Sequence, residues 1–422
     1  MLRALVTCVL LLLGASTAAL PSSDRGTAIF AVVMTRHGVR SFTKPPAAYR
    51  WLDWSPVAAG FLTAHGYKLI TFLGNYYREY FASIGLPIDC ASHGMYVYAD
   101  VDQRTLETGR ALIEGACGSP TALPLYHDAA IGPNVNDPLF DGADWLIPAG
   151  KVDTAASIAS VTAAAPKPPS SVVSQYAGAF TALQSLLDTQ CSGSCPRADA
   201  GPSEITAKPG GLAALHGPLG VGEGYVESMF LEQAQCAPGL DAFKFNQTLQ
   251  LRKVEYAINA RNPYNASVKG ANVFAHIVGL LQAKAGMPHP DVSVPDVAHD
   301  NVVILSGHDT QIGALGGILD TANNDAPPGG ALVFVLYRRA PGEYHVEVQY
   351  VHETMAQLRS NSPLQNGIMT EYDAGDYDLA KLSALAHGLV ERGFVLHDWT
   401  KASDAPVDLA PLGDPSWTKC KP

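Results

Sequence analysis

The sequence predicts an α/β fold: a mixed, mostly parallel sheet core flanked by helices, with an inserted, mainly helical cap domain. Three observations predict it. Short continuous apolar runs recur at residues 28–34, 95–99 and 302–306, as strands buried on both faces of a helix-covered sheet require. Helical spacing follows the first two runs, and such strand–helix alternation favours a parallel sheet. Strand character is absent from the middle third of the chain and returns only near residue 301.

Taken in order, the first twenty residues read as a signal peptide. Met1-Leu2-Arg3 is a short positive start, 4–13 an apolar run and Ser16-Thr17-Ala18-Ala19 a small-residue cleavage region. The run is too short to serve as a membrane span, so a periplasmic or secreted protein is expected. Next, Leu69, Phe72, Leu73, Tyr76 and Tyr80 recur at helical spacing, with Thr63 as N-cap. Residues 105–115 read as a second helix. Residues 25–140 thus form the first part of the α/β core.

Residues 152–171 are rich in Ala, Ser and Pro, and 191–218 are loop-like. Between and after them come helical patterns at Val173, Tyr176, Phe180, Leu183 and Leu187, then near 221–235, 246–260 and 268–284. This stretch, 141–298, is read as the helical cap. Residues 299–422 return to the core through strands at 301–306, 331–337 and 344–351.

The chain holds seven cysteines, and removal of Cys8 with the leader leaves an even number in an oxidising compartment. Six cysteines allow 15 connectivities. Spacing favours Cys90–Cys117 and Cys191–Cys195, which leaves Cys236–Cys420. Zinc motifs are absent: there is no Cys-x-x-Cys pair and no His-Glu-x-x-His. The formal charge of −11 argues against a nucleic-acid partner. It suits an enzyme of anionic substrates only if basic residues are concentrated in one place.

They are concentrated at three strand ends. The first strand runs into Arg36-His37-Gly38-Val39-Arg40, the second into Asp100-Val101-Asp102-Gln103-Arg104, and the third into Gly307-His308-Asp309. Ligands of open α/β sheets bind outside the carboxyl ends of the strands. Guanidiniums and imidazoles converging there make an anion site suited to phosphate. Gly38 and Gly307 are expected to let the backbone approach a ligand closely.

These segments resemble the histidine acid phosphatase family. Arg36-His37-Gly38-Val39-Arg40 matches its Arg-His-Gly-x-Arg signature, and His308-Asp309 its distal His-Asp pair. The similarity extends toward periplasmic phytases and glucose-1-phosphatases through Thr43-Lys44, residues 99–105, 137–140, 230–235 and 327–334. The resemblance implies a phosphohistidine mechanism without cofactor or metal. His37 would be the nucleophile and Asp309 the proton donor. Arg36, Arg40, Arg104 and His308 would hold phosphate oxygens, with Thr43, Lys44 and Glu227 on the substrate side. Phytate (inositol hexakisphosphate) is the favoured substrate, followed by a broad acid phosphatase or a sugar (glucose-1-) phosphatase. A non-catalytic phosphate-binding protein is the rival from another class. Two departures bear on phytate preference: Thr310-Gln311 stands where Thr-Asn is usual, and Lys269 where the cap carries arginine.

Overall fold

Burial on both faces accounts for the first apolar run. In the computed structural model, Thr27–Arg36 is a 10-residue strand in which every position from 30 to 36 is buried. The structure describes residues 25–44, 49–91, 94–131, 135, 137–191, 195–237, 240–289, 292–321, 326–360, 370–396 and 402–403. The expected leader, residues 1–20, lies outside them.

The first strand sits in the middle of the sheet. It pairs in parallel with Val302–Gly307, which pairs in parallel with Met95–Ala99, which pairs in parallel with Leu125–Asp128. On its other side Ala331–Ala340, Glu343–His352 and Thr370–Asp378 follow as antiparallel neighbours. Ala402–Ser403 closes the opposite edge against Leu125–Asp128. The result is an 8-stranded mixed sheet. Its parallel half carries all three of the basic strand ends.

Alternation along the first strand assigns its side chains to two layers. Phe30, Val32 and Met34 join Val268, Phe274, Ile312 and Leu382 on one face. Ala31 and Val33 join Leu73, Tyr77, Leu112 and Ile113 on the other. Helices Pro263–Ala285, Asp309–Ile318 and Leu379–Glu391 therefore cover the first face, and Ala64–Ser83 and Gln103–Cys117 the second. Each fully buried Phe or Met in such a layer contributes roughly 1.5–3 kcal/mol. The helix Pro263–Ala285 falls within the 141–298 stretch, yet it packs on the sheet.

Helices Thr154–Ala164, Ala177–Leu187, Pro218–Ala234 and Ala242–Asn259 share a separate apolar cluster that includes Val161, Phe180, Leu187, Val226 and Phe245. Several helix starts follow ordinary capping rules, with Pro218 at the first position of Pro218–Ala234 and polar N-caps on Thr154–Ala164, Ala242–Asn259 and Ala64–Ser83. Asp153 accepts from the N–H groups of Ala155 and Ala156, Asp241 from Phe243 and Lys244, and Thr63 from Gly66. Cys90–Cys117 and Cys191–Cys195 are disulfides. Cys420, the expected partner of Cys236, lies outside the described residues. Among the described residues no helix is long and apolar enough to cross a membrane.

Candidate active site

Sheet register brings the three strand ends level. Arg36 pairs with Gly307, and Ala99 with Ser306. Just past these positions His37 N–H donates to Gly307 O at 2.9 Å and Asp100 N–H to Ser306 O at 3.0 Å. His37, Asp100 and His308 thus stand side by side at the rim, and the His37 and His308 rings lie 5.5 Å apart, edge to face. Gly38 and Gly307 serve packing, not only ligand approach. A Cβ on Gly38 would come within 2.7 Å of Ile70, and one on Gly307 within 2.7 Å of Met34 and Phe140.

His37 is 2% exposed. Its Nδ1 lies 2.8 Å from Gly38 O. A carbonyl only accepts, so Nδ1 carries the proton and Nε2 keeps its lone pair. Burial, then the charges of Arg104, Arg36, Arg40 and His308, hold the ring's pKa well below its ordinary value. The neutral imidazole is therefore favoured.

Three guanidiniums surround it. Arg36, 1% exposed, donates from Nη1 to Ala326 O at 2.6 Å and from Nη2 to Glu227 Oε1 at 2.5 Å. Arg40 donates to Ser41 O at 2.9 Å and lies 3.7 Å from Glu227. Arg104 pairs with Asp102 at 2.5 Å and approaches His308 Nδ1 at 3.5 Å. The Nε–H groups of all three are buried and without a hydrogen-bond partner among the described residues. Buried donors are ordinarily satisfied, so these form a cradle for an anion.

His308 is aligned from behind, its Nε2 2.7 Å from Asp100 Oδ2. Together with Asp141, these residues bring three metal-ligand-type atoms within 4.8 Å of one another. The Nε2–H of His308 is already given to Asp100, which makes the pair an oriented imidazole. Asp309 begins the helix Asp309–Ile318, whose N-terminus favours anions. The buried Gln311 accepts from His308 N–H at 2.8 Å and donates to Phe140 O at 2.8 Å. It secures the start of that helix.

Glu227 enters from helix Pro218–Ala234 and meets Arg36. Thr43 borders Arg104: a Cβ on Gly60 would lie 3.0 Å from Thr43 Cγ2 and 3.7 Å from Arg104 Nη1. Lys44 is exposed and forms no ion pair among the described residues. Lys269, on helix Pro263–Ala285, is held below its ordinary pKa by burial despite the nearby carboxylates of Glu255, Asp141 and Asp144.

Sequence reasoning missed Arg252. From helix Ala242–Asn259 it donates to Asp309 Oδ2 at 2.5 Å and to Glu223 Oε1 at 2.6 Å, and it lies 2.8 Å from Glu227 Oε2. Its guanidinium also stands 4.9 Å from the Tyr256 ring centroid. A usable signal was present. Phe245, Thr248, Arg252, Tyr256 and Asn259 follow one buried helical stripe, and an arginine inside such a stripe needs buried partners.

Burial alone would raise the pKa of Asp309, but Arg36 and Arg252 outweigh it and hold the carboxyl well below the ordinary range. Glu227 is likewise lowered, with Arg36 and Arg252 overcoming burial. Burial pushes Glu223 up to about 8 and Asp141 up to about 6. A separate cavity of about 300 Å³, lined by Arg339, His345 and Asp378, lies at the far end of the strands.

Residues 28–146 match the model of the histidine phosphatase superfamily (branch 2). That stretch includes Arg36, His37, Arg40 and Arg104. It is 28% identical to phytase AppA of Escherichia coli strain K12, over 79% of this chain and 82% of the relative. A glucose-1-phosphatase of Salmonella typhimurium is 26% identical over 79% of this chain and 83% of its own length. The fold superposes on Hafnia alvei phytase in its apo form with TM-score 0.77 and 28% identity, covering 90% of this chain and 100% of that one. The same phytase in complex with myo-inositol hexakis sulphate gives TM-score 0.76 at 27% identity, covering 89% and 100%. The chain is a phosphatase with the α/β fold of those phytases.

Proposed function

We propose that the protein is an exported acid phosphatase that hydrolyses phosphate monoesters through a phosphohistidine on His37, with phytate as its favoured substrate. The observation that carries this reading is the His37 ring, its Nε2 lone pair available, beside three guanidiniums whose buried Nε–H donors lack partners among the described residues. A phosphate monoester seated there would satisfy those donors and present phosphorus to Nε2. Attack splits one hard displacement into two easier ones. Arg36, Arg40, Arg104 and His308 stabilise charge on the transferring phosphoryl group, where preorganised donors count most. Asp309 passes a proton to the leaving oxygen and then helps activate water.

Thr43 and Lys44, after the first strand, and Glu227, from helix Pro218–Ala234, face the part of the substrate beyond the scissile phosphate. The reported likeness to phytases supports inositol phosphates. A single-phosphate sugar ester is the second reading. It is supported by the similarity to a glucose-1-phosphatase. Rates on phytate, glucose 1-phosphate and an aryl phosphate decide between them. The proposal expects the highest kcat/KM on phytate and loss of all three activities in His37→Ala. Retained turnover in that variant would overturn the mechanism, and a preference for glucose 1-phosphate would overturn the substrate.

A further inference from the structure

Asp309 faces more charge than a simple proton donor requires. Arg36 reaches it from the first strand, its Nη2 3.4 Å from Oδ2. Arg252 reaches it from the cap at 2.5 Å. Tyr256, Glu223 and Glu227 lie around the same guanidinium, and Arg40 acts from slightly farther away. Arg252 is 2% exposed, so its contacts are shielded from solvent and its charge is poorly screened. It also bridges two structural units, joining cap helices Pro218–Ala234 and Ala242–Asn259 to the helix that Asp309 begins.

We propose that Arg252 is a positioning residue that holds Asp309 from the cap as an ionised carboxylate, so that the proton for the leaving alkoxide enters on the substrate's own phosphate group. The proposal rests on the phosphohistidine reading above. A phosphate monoester loses its second proton near pH 6, so in acid the monoanion predominates. His37 Nε2 attacks phosphorus while the ester P–O bond breaks. The phosphate hydroxyl gives its proton to Asp309, which passes it to the departing oxygen. The products are the alcohol and an N-phosphorylated His37, with Asp309 again a carboxylate. Protons and charge balance without any added acid. The opposed alternative, a carboxyl already protonated in the free enzyme, conflicts with two guanidiniums on one oxygen.

The test uses the full enzyme and compares Arg252→Gln and Arg252→Lys with the parent on an alkyl phosphate and on nitrophenyl phosphate. Removing the guanidinium should let Asp309 protonate at higher pH, because an adjacent arginine ordinarily lowers an aspartate by about 1–3 units. In R252Q the ratio of kcat/KM at about pH 3.5 to that at about pH 5.5 should therefore fall roughly tenfold for the alkyl ester. The ratio should change little for nitrophenyl phosphate, whose leaving group needs no proton. R252K keeps a charge but cannot reach all three carboxylates, so it should shift the ratio in the same direction by less. If R252Q does not fold, R252K carries the test. An equal loss at every pH, or the same shift on both esters, overturns the proposal. Acid-free denaturation of the same preparations during turnover, with peptide mapping at alkaline pH, separates the two readings. Phosphohistidine with an unmoved pH profile refutes the role of Arg252 alone, whereas absent phosphohistidine in the parent refutes the underlying mechanism.

Discussion

Replacing Asp309 by Asn should slow substrates in proportion to the basicity of their leaving groups. The amide keeps the size of the carboxylate, and its oxygen can still accept from Arg252, now 2.5 Å from Oδ2. Arg252 also retains Glu223 at 2.6 Å and Glu227 at 2.8 Å. The structural cost is then the difference between a charge-assisted and a neutral hydrogen bond, about 1 kcal/mol. Removing a negative charge beside the anion cradle should leave KM unchanged or lower it. The amide cannot relay a proton, and that function is typically worth about 10²–10⁴ in rate, or roughly 3–5 kcal/mol of barrier. Single-turnover rates on an alkyl phosphate should fall by about that factor. Nitrophenyl phosphate should lose far less. Equal slowing of both esters would refute the reasoning and leave Asp309 as a residue that only orients its neighbours.

Two further outcomes follow from burial. Glu353 is 2% exposed, its carboxyl oxygens have no partner in the structure, and burial raises its pKa to about 8 from an ordinary 4.5. A folded-state pKa above the unfolded value gives stability that is complete below about pH 4.5 and lost as pH rises toward 8. Glu353→Gln should therefore raise the melting temperature at pH 8 and narrow its difference from pH 4.5, and an unchanged difference would show that Glu353 does not drive it. Gly38→Ala places a Cβ 2.7 Å from Ile70 Cγ1 and 3.0 Å from Leu62 Cδ1. Overpacking of this kind costs about 1–3 kcal/mol, to be read as a lower denaturation midpoint, and wild-type stability would show that the helix Ala64–Ser83 yields.

The sheet strands that carry the basic segments were legible because burial on both faces leaves uninterrupted apolar runs. Residues 95–99 of the sequence are the observed strand, and 28–34 extends only to Thr27–Arg36. Thr370–Asp378 was not legible. As a late antiparallel addition beyond Glu343–His352 it is rich in Asp, Glu and Tyr, and its pairing shifts register near Val348. The helix Thr154–Ala164 was hidden in an Ala/Ser-rich stretch whose weak amphipathicity gives no periodic signal, although Asp153 caps it.

At the site the strand-end groups could be read because chemistry and position coincide in short segments. Arg252 could not. Its buried stripe shows that it needs partners, but it meets Asp309 and Glu223 only through the packing of separate helices, and no local pattern names those partners. Asp100 lay within a quoted segment, but its role behind His308 depends on a 2.7 Å contact across the sheet.

The central claim is that His37, neutral and with Nε2 available, becomes covalently phosphorylated. Rapid acid-free denaturation during turnover of a labelled phosphate monoester, followed by peptide mapping at alkaline pH, tests it most directly. The account predicts one acid-labile phosphoryl group on the peptide containing His37 and none in His37→Ala. Label on Asp309 or on a serine, or steady turnover with no labelled enzyme under conditions that trap a phosphohistidine, would contradict it.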